Sequence, residues 1–141
     1  MARAKDASIP DDEKLFRTLP AGKYRDSIVL PEAIEVEGTS CYRGSVCETP
    51  EAALAHARTL RPMDEAVAGV TVGALPKGEI TTDGGGKWIV FVEDLPEDGN
   101  DAHCEIRFGK PGTGQSWPSK RNARSFLRST IARTFSVILL P

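Results

Sequence analysis

The chain has 141 residues, 40% of them apolar and 27% charged, with a formal net charge of −2. That length and balance fit one globular domain and argue against a disordered or membrane-embedded chain, since no run approaches the roughly 20 apolar residues of a spanning helix. The odd cysteine count, Cys41, Cys47 and Cys104, argues against a secreted disulfide framework, and the N-terminus has no apolar signal core; the expectation is a cytoplasmic protein.

In chain order, residues 1–11 are polar and aperiodic and read as a flexible tail, with a single domain over 12–141. "PEAIEVEG" alternates Ile34 and Val36 with Glu35 and Glu37, which predicts a strand with one buried face. "ETPEAALAHARTLRP" predicts a helix. Thr49 is its N-cap, Pro50 occupies the first helical position, Glu51 suits the positive end of the dipole and Pro62 ends the run; Ala53, Leu54, Ala57 and Leu60 form the apolar face. "AVAGVTVGAL" and "KWIVFVEDL" predict two neighbouring strands, with a reversal at Asp83–Gly86. No Gly-Lys-Ser/Thr follows those glycines and the next element is a strand, so they read as a turn and not as a phosphate loop.

"DAHCEIRFGK" predicts a strand over 103–108. Period-two alternation puts His103, Glu105 and Arg107 on one face and Cys104, Ile106 and Phe108 on the core side, so Cys104 is no nucleophile for its neighbour His103. The polar row is either a solvated sheet face or a catalytic row, with His103 as acid or base beside Glu105 and Arg107 holding an anion. The His-x-Glu spelling of a zinc deaminase also requires a later Pro-Cys-x-x-Cys, and no cysteine follows Cys104. Cys41, Cys47, His56 and His103 are zinc-ligand types without the short paired spacing of a structural site, so neither metal nor cofactor is expected.

The C-terminal part carries the clearest charge signal. Up to Glu105 the chain holds all 20 acidic residues and 11 of the 18 basic ones, a balance of −9; the last 36 residues hold seven Lys and Arg and no acid. Pro118 suits a helix start, and Ser119 to about Phe135 predicts a helix followed by "SVILLP" as a short buried strand or apolar end. Ala123, Phe126, Leu127, Thr130 and Thr134 fall on one side, and Lys120, Arg121, Arg124 and Arg128 opposite. The like-charge pairs Lys120/Arg124 and Arg124/Arg128 each disfavour an isolated helix by roughly 0.2–0.5 kcal/mol, which calls for an anion. The candidates are the chain's own acidic body, including Glu93, Asp94, Glu97, Asp98 and Asp101, an acidic protein surface, or nucleic acid held by the four cations with Trp117 stacking on a base.

"GTSCYRGSVCETPEAALAH", a strand bearing Arg43 followed by a turn and an alanine-rich helix, resembles the layout of small ADP-ribosyl-processing and NAD-cleaving toxin folds. That resemblance implies a nucleotide or NAD-type substrate with Arg43 at its phosphate. "GTSCYRG", "DAHCEIRFGK" and a basic terminal helix together resemble small bacterial proteins of unassigned function, which implies no activity. The expectation is therefore a single α+β domain, a mostly antiparallel sheet packed by about two helices. Its expected role is that of a small partner-binding or accessory protein acting through the cationic helix. The alternatives are nucleic-acid binding by the same stripe, or a small hydrolase or transferase using Arg43, His103, Glu105 and Arg107.

Overall fold

Apolar residues on both sides of "KLFRTLP" make β1 (Lys14–Pro20) a strand buried on two faces, and it lies near the middle of the sheet that organises the protein. A computed structural model describes residues 2–141. A small separate hairpin, β2 (Tyr24–Arg25) and β3 (Ile28–Val29), is followed by β4 (Thr39–Arg43), the single turn α1 (Gly44–Cys47) and α2 (Pro50–Arg58). Then come β5 (Asp64–Thr71), β6 (Ile80–Thr81), β7 (Lys87–Asp94), β8 (His103–Lys110) and β9 (Gly114–Gln115). α3 (Arg121–Ala132) and β10 (Ser136–Leu139) complete the chain. The main sheet runs β10-β5-β1-β4-β8-β7-β6, with β9 paired to β8 and every pairing antiparallel. The architecture is α+β, in one domain.

Period-two alternation divides the side chains between two layers. Leu15, Leu19, Ala68, Cys104, Ile106 and Phe108 form the larger core beneath Leu127, Ile131 and Ala132 of α3. On the opposite face Phe16, Tyr42 and Val67 pack against Ala53 and Ala57 of α2. The nine residues of α2 lie over the β5 and β1 side of the sheet, so the β4–β8–β7 part of that face carries its polar row without a helical cover.

Several local expectations change. "PEAIEVEG" is not a strand: Pro31–Ala33 is a 3₁₀ turn, Gly38 N–H closes a turn on Glu35 O, and Thr39 Oγ1 bonds both the N–H and the C=O of Glu35. Ile34 and Val36 are buried as the alternation demands, but the segment has no ladder partner, so burial rather than pairing accounts for the pattern. β5 and β7 share the sheet without touching, because β1, β4 and β8 lie between them; the Asp83–Gly86 turn instead folds β6 onto β7. The segment 2–11 runs along the sheet: Arg3 binds Asp94, Lys5 binds Glu93 and Asp6 binds Arg43.

α3 is rotated relative to the expected face. Its buried residues are Leu127, Ile131 and Ala132, so Arg124 and Arg128 lie on the flank nearest the core instead of opposite it. The apolar group placed C-terminally by Ile131, Ala132 and Phe135 outweighs the Thr130 and Thr134 side, and the long arginine stems tolerate the half-buried positions.

Candidate functional site

Two places gather chemistry-bearing side chains. The first is the open part of the sheet face that α2 leaves uncovered. Tyr42 pairs with His103 and Ser40 with Glu105, and because side chains at paired positions share a face, Ser40, His103 and Glu105 project together. His103 Nδ1 lies 2.9 Å from Leu95 O and 3.3 Å from Glu97 Oε1. Its Nε2 lies 3.4 Å from Ser40 Oγ and 3.6 Å from Glu105 Oε2. Arg107 donates through Nε to Glu105 (3.0 Å) and through Nη1 to Glu93 (2.6 Å) and Gln115 (2.9 Å), so two of its three nitrogens are engaged by neighbouring side chains. The cavity over His103 is about 310 Å³ and includes Tyr42, Arg61 and Asn100 in its wall. Tyr42 closes one side with its hydroxyl 3.1 Å from His56 Nδ1, while His56 Nε2 meets Gly99 O at 2.7 Å. Burial, more than any other influence, pushes the Tyr42 phenol up.

Arg43 stands on the opposite face, with Cys41 and Leu15. Its guanidinium bonds Glu13 through Nε (3.0 Å) and Nη2 (2.7 Å), and Asp6 through Nη1 (2.6 Å), with Asp94 at 3.2 Å. The hydrogen bond to Glu13 does most to raise the Arg43 pKa. For Asp94, burial opposes ionisation, but hydrogen bonds from Arg3 and the Asp6 N–H and the charges of both arginines outweigh it and hold the carboxyl at about 2. The fold therefore separates Arg43 from His103, Glu105 and Arg107 by the thickness of the sheet. Cys41 and Cys104 face each other within the core, and burial raises the Cys41 thiol to about 12 and Cys104 well above its usual value; neither is activated. Among the described residues no group of His, Cys, Asp and Glu is placed to hold a metal ion.

The second place is a groove of about 730 Å³ between the Asp83–Gly86 turn, the loop after β8 and the start of α3. Trp88, Trp117, Lys87, Lys110 and Lys120 line it, with Glu79 and Asp83 at the wall. Trp88 is buried, and Lys110 Nζ sits 5.5 Å from its ring centroid; Trp117 is 44% exposed. Lys110, Lys120 and Arg121 form no ion pair among the described residues, whereas Lys87 approaches Glu79 at 3.8 Å.

The expected stripe of four cations is thus divided. Lys120 and Arg121 are exposed. Arg124 donates to Glu37 (2.6 Å) and Pro118 O (3.2 Å), and the bond to Glu37 is the chief reason that carboxyl is held below the usual carboxylate range. Arg128 buries its Nε without a hydrogen-bond partner among the described residues. Of the acidic residues expected near the helix, Glu93 bonds Lys5 and Arg107, Asp94 bonds Arg3, and Asp101 accepts from the Arg3 N–H. Among the described residues the carboxylate in an ion pair with α3 is Glu37.

Sequence reasoning missed Ser40, Trp88, Lys87 and Lys110, and it placed Glu97 in the acidic body and not beside His103. Strand pairing brings Ser40 beside a histidine 63 positions later, and no local motif signals that. Lys110 and Trp117 were open to inference as neighbours, because "GKPGTGQSW" has the glycines of a tight reversal between them. Among the described residues no helix is long and apolar enough to cross a membrane. No protein family, characterised protein or solved structure matches the chain.

Proposed function

We propose that the protein is a binding module whose groove at the start of α3 takes a single strand of nucleic acid. The observation that carries this reading is an exposed Trp117 set in a 730 Å³ groove with Lys110 and Lys120, neither of which forms an internal ion pair among the described residues. A ring and unneutralised cations at one site meet the two demands of a strand, a platform for a base and counter-charges for phosphates. Duplex binding along the whole helix is less favourable, because Arg124 already holds a carboxylate and Arg128 is half-buried.

Titration with a single-stranded oligonucleotide, followed by tryptophan fluorescence, tests the reading. If Lys110, Lys120 and Arg121 neutralise three phosphates, log K should fall against log salt with a slope of about −2. Trp117→Ala should weaken binding by about 1–3 kcal/mol, and the double variant K120E/R121E should abolish it while the fold is retained, since both residues are exposed. Absence of binding at low salt would overturn the proposal. An acidic protein is the second reading, favoured by the carboxylate of Glu37 already seated on Arg124. Its signature is a protein that co-purifies with the wild type and is lost from K120E/R121E.

A further inference from the structure

We infer that Ser40, His103 and Glu97 form a nucleophilic site for small, uncharged carboxylic esters, separate from the Trp117 groove, with which its cavity shares no lining residue. The tautomer of His103 carries the argument. Leu95 O can only accept, so in the neutral imidazole the 2.9 Å contact places the proton on Nδ1 and leaves the lone pair on Nε2. Ser40 Oγ stands 3.4 Å from that lone pair and has no other side-chain hydrogen bond among the described residues. This is the looser end of nucleophile–base geometry, as unliganded sites commonly show. Glu97 Oε1, 3.3 Å from Nδ1, is placed to stabilise the imidazolium that forms when Nε2 takes a proton. Glu105 Oε2, at 3.6 Å from Nε2, lies beyond hydrogen-bonding range, and its other oxygen is bonded by Arg107 Nε.

The cavity limits the substrate. About 310 Å³ admits a short acyl group, and Leu60, 66% exposed, provides an apolar lip. Glu97 and Glu105 against Arg61 leave the walls with an excess of negative charge, which disfavours phosphate and carboxylate substrates and sets this site apart from a nucleotide pocket. The Asn100 side chain has no hydrogen-bond partner among the described residues and, with Arg61, offers donors for an oxyanion.

The chemistry needs no cofactor. Ser40 Oγ bonds to the acyl carbon as its proton passes to His103 Nε2, and the carbonyl π pair moves onto oxygen. When that pair returns, the bond to the alcohol oxygen breaks and the alcohol leaves with the proton from Nε2. Water then attacks acyl-Ser40, passing its proton to Nε2, and collapse releases the carboxylic acid while Ser40 Oγ recovers its proton. The balance is ester plus water to acid plus alcohol.

The test treats the whole chain with an alkyl fluorophosphonate and maps the adduct by peptide mass spectrometry, with p-nitrophenyl acetate hydrolysis beside it. The expected result is an adduct on Ser40 and an initial burst of p-nitrophenol. Ser40→Ala should remove both, and His103→Gln should slow labelling about 100-fold, with circular dichroism confirming the fold of each. Glu97 is a positioning residue, 60% exposed, so Glu97→Gln should lower kcat about tenfold with KM unchanged, a split that a merely structural change would not produce. p-Nitrophenyl phosphate should not be turned over. Folded wild-type protein that gains no adduct on Ser40, or gains it equally fast in His103→Gln, overturns the inference. Mapping of the wild type needs no variant, so a missing Ser40 adduct is decisive even if a substitution fails to fold, and it is independent of the outcome with oligonucleotide.

Discussion

Arg43 shows how little a residue type discloses about its role until its neighbours are known. In a strand ahead of an alanine-rich helix it resembles a phosphate-binding arginine, yet the folded chain surrounds it with Glu13, Asp6 and Asp94. The Glu13 side chain is 4% exposed and takes its counter-charge from this guanidinium, whereas the fully buried Asp94 shares Arg43 with Arg3. Arg43→Met should therefore cost about 3–5 kcal/mol, measured as a lowered urea midpoint, because it strands the buried Glu13 carboxylate. Adding Glu13→Gln should recover part of that loss. A cost below about 1 kcal/mol would mean that water reaches the cluster and that the ion pairs contribute little. Cys104 is the opposite case: period-two alternation alone sends it to the core, and the fold leaves it fully buried beside Cys41.

At the scale of elements, local signals succeed where the determinant lies within a few residues. The Thr49–Pro50–Glu51 start of α2 is such a case, since Thr49 Oγ1 accepts from Ala52 N–H at 3.1 Å. Thr49→Ala should cost about 1 kcal/mol and speed hydrogen exchange at the Ala52 amide, with β7 and β8 unaffected. α3 is the contrary case. Pro118 and the apolar spacing place the helix but overrun it at both ends, 119 to about 135 against Arg121–Ala132, and its rotation depends on which flank finds a partner; Ile34 and Val36, from a segment that only resembled a strand, belong to the core that Leu127 and Ile131 enter. Gly44 shows a constraint that no propensity scale contains: a Cβ there would stand 2.8 Å from Lys14 O, so α1 closes onto β1 only because that atom is missing.

Across the whole molecule, the acidic and basic segments meet piecewise. The N-terminal segment supplies Arg3 and Lys5 to Asp94 and Glu93, β8 supplies Arg107, and α3 contributes Arg124 to Glu37. Native carboxyls at Glu13, Glu37, Glu93 and Asp94 are all held low, Asp94 at about 2. A depressed native pKa gives stability that is present above the ordinary carboxylate range, near pH 4, and lost as pH falls through the native value. The denaturant midpoint should accordingly drop between about pH 4 and about pH 2, and protection of the Asp6 N–H, which donates to Asp94, should be lost in the same window. A midpoint level across that window would show that these pairs are as strong in the unfolded chain.

By itself the sequence determined the α+β class, the strand at 103–108 with its two faces, and two helices, read near 50–60 and over 119 to about 135 and formed over Pro50–Arg58 and Arg121–Ala132. Each rests on period and on end signals confined to a few neighbouring residues. Only the tertiary structure decided that β5 and β7 lie apart, that Arg43 and His103 stand on opposite faces, and that Ser40 comes beside His103 Nε2. It also decided that Trp117 shares a groove with Lys87 and Trp88 while Arg124 turns to Glu37. The physical reason is that strand order and helix rotation minimise exposed apolar area summed over the whole chain, so contacts between residues 63 or 87 positions apart have no local signature.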